Sequence, residues 1–576
     1  MPSEPPKESK NEQLKKASRH LRGNLAEELA NDATHITEDS AQLLKFHGSY
    51  QQDDRDERHE RRAAKQEEAH QFMVRLAMPG GVLTADQYLV LDDLADRYGN
   101  GTLRVTTRQG FQFHGVLKKD LKAHVAAVNK ALLTTLAACG DVKRNVMACP
   151  APLRDAAHET IRSVANEIAE KLSPQTRAYH EIWLDGEKQL STENEEPFYG
   201  DAYLPRKFKV GVTHAHDNSI DIYSYDCGLV AFIENGKVTG YNVLAGGGMG
   251  MTHNKADTFA GLAQQVGYVA PEHAIGAVMA VATIFRDTGN RADRRHARLK
   301  YVIAERGLDW FQQEFRKVAG FPVEPFRPLP QPEYHDFIGA HDQGNGKVFY
   351  GIFIENGRIA DREGWRLRTA LRELVAKLRP GMVLTPNQNV LLTDLAPDAV
   401  ATIESVLTAH GVALPAKLSA ARRYSMACPA LPTCGLAMAE SERLMPDVVD
   451  LFETELASLG LRDEPITLRM TGCPNGCARP YTADIAFVGK APDVYNIYVG
   501  GGLGGDRMAD LFAKDVRTED MVATLHPLLS AWATQRRPNE SLSNFYQHRM
   551  GDRPARQTIT GKESPTRELV QLGIIL

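Results

Sequence analysis

Hydrophobic and polar positions divide the chain into a polar leading stretch and two long segments of ordinary globular patterning. Residues 1 to about 70 are charge-dense, and 51–70 hold no apolar side chain larger than alanine. Such a run reads as a solvated helix or an arm laid over another surface. Core patterning begins at Phe72, where F-M-V-R-L-A-M-P-G-G-V-L predicts a strand closed by a Pro-Gly-Gly turn. Tyr88, Leu91, Leu94, Ala95 and Tyr98 follow at helical spacing. Gly101 to Val116 alternates like two strands around a turn. Ala274 to Phe285 is apolar but short and flanked by charges, which predicts a core helix rather than a membrane span.

The pattern repeats. V-T-T-R-Q at Val105 resembles L-T-P-N-Q at Leu384, and M-A-C-P at Met147 returns at Met426, both displaced by 279 residues. Y-N-V-L-A-G-G-G-M-G from Tyr241 returns from Tyr495, displaced by 254, so the first copy is longer between Cys149 and Tyr241. A repeat of this length is a duplicated domain pair, expected to pack about a pseudo-twofold with a site between its halves.

Length and composition change little in this picture. A chain of 576 residues with 43% hydrophobic and 24% charged residues suits two to four globular domains. A net charge of −5 gives no reason to expect nucleic acid or an anionic membrane as partner. Seven clustered cysteines, an odd number, do not read as a disulfide framework, and a reducing cytoplasm is expected. The N-terminus lacks an apolar signal-peptide region, so no secretory signal is expected.

Cysteines are where the two copies differ in chemistry. The second copy carries A-C-P-A-L-P-T-C-G, with Cys428 and Cys434, and then T-G-C-P-N-G-C, with Cys473 and Cys477. Four thiolates in two close pairs suit zinc or an iron–sulfur cluster. The gaps, the Pro and Gly around each pair and a linker long enough for a helix argue against zinc; four buried structural thiols are the bland alternative. Cys473 and Cys477 would share a face if that segment coiled, with Pro474 in a first turn. The first copy keeps only Cys149 of this set, and a buried spectator thiol is its expected role.

Cations stand in the first copy where the second has thiolates. Arg75, Arg108, Arg144, Lys207 and Lys209 fall in or beside predicted strands and turns. Lys207 and Lys209 flank Phe208 with period two, so both ammonium groups share one face. By themselves they read as a solvated pair; converging with the arginines, they would hold a small oxyanion or a carboxylate-rich cofactor. The run Gly500 to Gly505 formally satisfies a dinucleotide fingerprint, with Asp520 about twenty residues on. Asp520 reads as the head of a helix rather than the end of a second strand, so this is not a nicotinamide or flavin site. The glycine turns remain able to cradle any anion through backbone N–H groups.

These motifs resemble the sulfite and nitrite reductases that couple siroheme to a [4Fe–4S] cluster. The resemblance runs over nearly the whole chain, through F-H-G-S-Y-Q-Q-D-D-R-D (Phe46 to Asp56), T-R-Q-G-F-Q-F-H-G, Y-L-P-R-K-F-K and Y-N-x-x-x-G-G-G. It is nearest to the assimilatory, NADPH-dependent branch. The resemblance implies an α+β, internally duplicated three-domain siroheme reductase fold with pseudo-twofold symmetry. Its divisions would be a polar arm (1–70), a composite ferredoxin-like domain (71–143 plus 345–420), a first repeat domain (144–344) and a second carrying the cluster (421–576). It implies Cys428, Cys434, Cys473 and Cys477 as cluster ligands, with Cys477 also bridging to the siroheme iron. Arg75, Arg144, Lys207 and Lys209 would line the anion pocket, Arg108 would contact siroheme, and Asn475 would lie in the cluster loop. Six-electron reduction of sulfite to sulfide in cysteine biosynthesis would follow. Electrons would come from NADPH through a separate flavoprotein carrying FAD and FMN, in a hetero-oligomer for which the arm is the docking candidate. A ferredoxin-dependent sulfite or nitrite reductase is the alternative within the class, and a non-catalytic iron–sulfur electron carrier the alternative outside it.

Overall fold

The structure, a computed structural model, describes residues 7–185, 196–551, 555–563 and 565–567. It is α+β, and the duplication is visible in its sheets.

Two five-stranded antiparallel sheets are built from both copies. One runs Ser49–Asp53, His70–Arg75, Phe111–Val116, Leu103–Val105, Arg358–Ile359; the other Gly339–Asp342, Val348–Ile352, Val390–Leu395, Gly381–Leu384, Val82–Thr84. Each borrows its last strand from the other copy: Arg358 pairs with Arg104, and Met382 with Leu83. The exchange demands tight crossings. A Cβ on Gly81 would stand 2.5 Å from the Leu384 carbonyl oxygen, and one on Gly357 2.2 Å from that of Val105. Both glycines also hold positive φ, 75° and 78°, where a side chain is strained.

The other two sheets share one topology. Met147–Ala148, Val210–His214 and Cys227–Glu234 run parallel, then Lys237–Ala245 and Gln264–Val269 add antiparallel. Ser425–Ala427, Leu468–Thr471, Ile485–Ala491, Val494–Val499 and Asp510–Arg517 repeat that order and those directions. The helices Ala156–Lys171 and Ala274–Thr288 cover the first; Met445–Ser458 and Met521–Gln535 cover the second. The apolar run from Ala274 is a core helix as expected, with Ala277, Val278, Val281 and Phe285 buried. Among the described residues, no helix is long and apolar enough to cross a membrane.

The joins between sheets are made by the repeated T-x-x-Q turns. Gln109 and Gln388 both stand at positive φ, 50° and 68°. Each Oε1 accepts the N–H of the alanine before a repeated cysteine, Ala148 at 3.0 Å and Ala427 at 3.2 Å. Each turn thereby fixes the start of one A-C-P segment.

The expected arm, 1–70, corrects in part. Leu21, Leu25, Ile36, Leu43, Leu44 and Phe46 are buried in the main core. Ser49–Asp53 is a full sheet neighbour of His70–Arg75. The apolar residues are too widely spaced to show a period, which is why the segment read as polar. The expected edge at 345 also cuts a hairpin, since Gly339–Asp342 pairs with Val348–Ile352.

Candidate active site

The basic residues are charge neighbours although they come from separate segments. Arg75 ends the strand His70–Arg75, Arg108 sits in the T-x-x-Q turn, and Arg144 precedes the strand at Met147. Lys207 and Lys209 lie in the extended segment leading into Val210–His214. Phe208 between them is buried against Phe285 at 6.0 Å between ring centroids, so the two lysines turn the other way. Both are half-buried, not a solvated pair, and Lys207 lines the chamber.

Burial shapes their electrostatics. It pushes Lys207 down to about 7, with Arg298, Arg206 and Arg144 adding repulsion. Burial does the same to Lys209, which falls well below the ordinary lysine value under further pressure from Lys207 and Arg108. Burial also opposes the charge of Arg75, but Cys139, Tyr50 and Cys477 outweigh it and hold its pKa above the usual value. Arg144 is anchored by Nε donating to Gly140 O at 3.0 Å.

Arg108 is the residue with unspent donors. Its Nη2 donates to Asn145 O at 2.5 Å and its guanidinium lies 5.1 Å from the Tyr225 ring centroid. Its Nε and Nη1 are buried with no hydrogen-bond partner. Burial pushes its pKa down to about 10, helped by Arg144 and Arg479. Buried donors without acceptors are costly, and a carboxylate-bearing macrocycle such as siroheme would satisfy them.

The four thiols gather opposite. Cys428 and Cys473 are buried, Cys434 is half-buried and Cys477 is exposed. Burial pushes Cys428 up to about 12, and Cys477 adds to it. Burial and then Cys477 likewise raise Cys434 and Cys473. Gly472 N–H reaches Cys428 Sγ at 3.4 Å. Among the described residues, the sets of three or more ligand atoms lying within 4.8 Å of one another are Cys149–His158–His214 and His35–Glu67–His70, and the four thiols form no such set. One zinc ion, with Zn–S bonds of about 2.3 Å, would draw its sulfurs to roughly 3.8 Å. As they stand, the four thiols are spaced too widely to share a single zinc ion. Cys473 and Cys477 do not lie on a helical turn as expected; Gly476 at φ 61° breaks the coil into successive tight turns.

Cys477 joins the two groups. It is a charge neighbour of Cys428, Cys434 and Cys473 on one side and of Arg75, Lys207 and Lys209 on the other. Asn475 lines the chamber together with Arg144, Lys207, Arg206, Lys45 and Tyr50.

Several of these were missed from sequence. Tyr50 and Lys45 come from the stretch read as an arm, and Cys139 receives Arg75 Nη1 at 3.1 Å. F-H-G-S-Y-Q-Q has no alternation to mark it, and Ser49–Asp53 is a strand by its pairing with His70–Arg75. Arg55 of the same stretch donates to Cys434 O at 3.0 Å and Ala437 O at 2.5 Å, strapping the cluster loop.

Most N–H groups of the glycine-rich turns are engaged within the fold. Gly246, Gly247 and Gly248 donate to the carbonyls of Asp226, Tyr225 and Gly261, and Gly500 and Gly501 to those of Asp484 and Ala483. Gly500–Gly505 leads into the strand Asp510–Arg517 and not a helix, and Arg507 Nε donates to Gly500 O and Gly501 O at 3.1 and 2.6 Å. Asp520 stands at the head of the helix Met521–Gln535. Packing is close at Gly247, Gly500 and Gly501, where a Cβ would stand within 2.6 Å of neighbouring atoms.

Comparison with known proteins agrees with this construction. The profile for the nitrite and sulphite reductase 4Fe–4S domain matches residues 163–323 and 419–562. That for the nitrite/sulfite reductase ferredoxin-like half domain matches 64–131 and 341–410. The sulfite reductase [NADPH] hemoprotein beta-component of Staphylococcus saprophyticus is 45% identical over 93% of this chain and 94% of its own. The sulfite reductase [ferredoxin] of Synechococcus elongatus is 46% identical over 94% and 89%. The solved Mycobacterium tuberculosis NirA protein shares the fold, with a TM-score of 0.76 and 23% identity over 93% of this chain and 96% of that one. The duplicated half domains, the four gathered thiols and these matches make the chain a member of the siroheme and 4Fe–4S nitrite and sulphite reductase family.

Proposed function

We propose that this chain is the hemoprotein component of an assimilatory sulfite reductase, reducing sulfite to sulfide with six electrons in the cytoplasm for cysteine biosynthesis. The observation that carries it is Cys477, a thiol shared between the cluster ligands and a chamber lined by cations. Cys428, Cys434, Cys473 and Cys477 would hold the 4Fe–4S cluster. Arg108, with its orphaned donors, and the Asn475 loop would hold siroheme. When bound, the coupled pair supplies electrons one at a time and an iron site for the substrate.

The residues of the chain do the rest. Arg75, Arg144, Lys207 and Lys209 bind and orient the sulfite oxygens by charge-assisted hydrogen bonds, and favour a dianion over a neutral molecule. Lys207, pushed down to about 7, can hand a proton to a departing oxygen near neutral pH and be recharged from solvent. Three oxygens leave as water. A non-catalytic carrier would have no use for these cations.

The electron donor is assigned to a separate FAD- and FMN-bearing flavoprotein that oxidises NADPH, in a hetero-oligomer. The run Gly500–Gly505 leads into a strand and not a helix, which speaks against a dinucleotide turn there. The Staphylococcus relative's name, at 45% identity, supports this reading, whereas the Synechococcus relative's name, at 46%, supports ferredoxin. Sulfide formation by the holoenzyme should proceed with NADPH plus the flavoprotein. Turnover with reduced ferredoxin alone would assign it to the other branch. Loss of sulfide formation with both donors and with reduced methyl viologen would overturn the activity itself.

A further inference from the structure

The pseudo-symmetry raises the question of what stands where the first copy should have a cluster. Cys149 is the counterpart of Cys428, and both donate their N–H to the neighbouring strand, to Val212 O at 3.1 Å and Met470 O at 3.2 Å. Asp155 follows Cys149 at the interval by which Cys434 follows Cys428. His214 follows Thr213 on the next strand, as Gly472 and Cys473 follow Thr471. Cys149 and Asp155 thus stand where the second copy has Cys428 and Cys434, while His214 stands at the place of Gly472, one residue before Cys473, and His158 joins them from the helix Ala156–Lys171.

We propose that Cys149, His158 and His214 form a binding site for one borderline-soft divalent transition-metal ion, represented by Zn2+. Their ligand atoms lie within 4.8 Å of one another, so side-chain shifts of about 1 Å would bring them into one ion's shell. Asp155 caps the helix, accepting the His158 N–H at 2.9 Å through Oδ1, and its Oδ2 holds His158 Nδ1 at 2.7 Å. A carboxylate on Nδ1 keeps the proton there and leaves the Nε2 lone pair for a metal, the arrangement that orients many ligating histidines. His214 stands edge-on to His158, centroids 5.2 Å apart and planes at 76°, and its Nδ1 is buried with no hydrogen-bond partner. Cys149 is 4% exposed and borders a pocket lined by Pro150, Pro152, Glu159 and Arg162, which gives an ion its way in.

The chemistry balances. Cys149 binds as thiolate, so each ion bound releases one proton from the thiol. The dication with one thiolate leaves one positive charge, faced by the carboxylates of Asp155 and of Asp217, itself held by Thr213 Oγ1 at 2.9 Å. Thiolate with imidazoles selects Zn2+ over the hard ions Mg2+ and Ca2+. Two nitrogens and one sulfur leave a fourth position for water.

The test uses the holoenzyme dialysed against stoichiometric Zn2+, with zinc and iron counted per chain and the zinc environment read by X-ray absorption. Expected is one zinc with one sulfur at about 2.3 Å and two nitrogens at about 2.0–2.1 Å. Cys149→Ser and His214→Gln should each weaken zinc binding at least tenfold with iron content unchanged. Asp155→Asn should weaken it roughly ten- to a hundredfold while leaving the one-site stoichiometry. No retained zinc, equal retention by the Cys149→Ser/His158→Gln/His214→Gln triple variant, or an all-sulfur shell reporting zinc in the cluster position would each overturn the proposal. Because iron is counted separately, failure here is distinguishable from failure of the reductase assignment.

Discussion

Asp221 and Arg479 are the same position of the two repeats, and they pair with each other. Both stand in the left-handed region, φ 52° and 51°, at the heads of the short 3-10 helices Ile222–Ser224 and Pro480–Thr482. Arg479 Nε donates to Asp221 Oδ2, and Arg469 Nη2 reaches the same oxygen at 3.0 Å. All three side chains are essentially out of water. The duplicated halves are thus joined on their own pseudo-axis by a position that became acidic in one copy and basic in the other.

Removing one partner strands the other, so Asp221→Asn should destabilise the protein by about 3–5 kcal/mol. The pH dependence has a definite sign. Burial alone would raise the Asp221 pKa, but Arg469 and Arg479 outweigh it and set it below the ordinary value. The unfolded chain therefore binds the proton first as pH falls, and this part of the stability, full above about pH 4, is lost in acid. Urea midpoints from pH 7 downward should fall for the wild type and flatten for Asp221→Asn; parallel curves would show that the pair contributes nothing to the join.

The four cysteines give a compositional prediction. Cys428→Ser, Cys434→Ser or Cys473→Ser should each lose the iron and acid-labile sulfide of one cluster, since a missing thiolate leaves an iron unligated. Wild-type iron and sulfide in all three would end the ligand assignment.

How much of this could be read from residues depended on whether the signal was periodic. The repeated T-x-x-Q and A-C-P segments placed Gln109, Gln388, Cys149 and Cys428 correctly, because a duplicated sheet leaves the same short strings at a fixed displacement. Lys207 and Lys209 were ambiguous because alternation gives a shared face but not what the face looks at. Phe208, buried between them, decides that only once its partner Phe285 is known. The leading segment was illegible for another reason. Leu21, Leu25, Ile36 and Phe46 anchor short helices and a 3-10 turn, elements too brief to show a period. The glycine runs were ambiguous because a turn that packs tightly and a turn that binds an anion need the same residue.

Arg55 carries a prediction that follows from that segment's true place. It donates to two carbonyls of the cluster loop, and its own N–H reaches Pro432 O at 3.2 Å. Arg55→Ala should leave the chain folded but loosen the loop, by about 1.5–3 kcal/mol for charge-assisted bonds. Bleaching of the cluster by a chelator should quicken by roughly ten- to a hundredfold. Deleting residues 1–60 should instead abolish soluble folding, since it removes the sheet strand Ser49–Asp53 and the buried leucines. A soluble deletion product that still reduces sulfite with methyl viologen would restore the segment to a peripheral arm.

The last prediction concerns Lys207, where two effects oppose. Burial and the neighbouring arginines push its pKa down to about 7 without an anion, so near neutrality the free enzyme carries only part of this charge. A bound anion prefers the ammonium and must raise that pKa. Affinity should therefore be full below about pH 7 and decline as pH rises through it, by up to tenfold per unit, until the pKa of the complex is reached. Sulfite itself titrates, so nitrite, charged throughout this range, is the better probe. The same depression has a consequence for the anion-free fold. Between about 7 and the ordinary lysine value of 10.5 the unfolded chain holds a proton the folded chain has lost, so folding stability should rise with pH across that window. Lys207→Met should bind nitrite weakly at every pH, with a flat profile and unchanged iron content. Lys207→Arg, whose charge persists, should bind well and move the decline to higher pH. If Lys207→Met keeps both the affinity and the inflection of the wild type, the proton belongs to another group, and Lys207 takes no part in holding the anion.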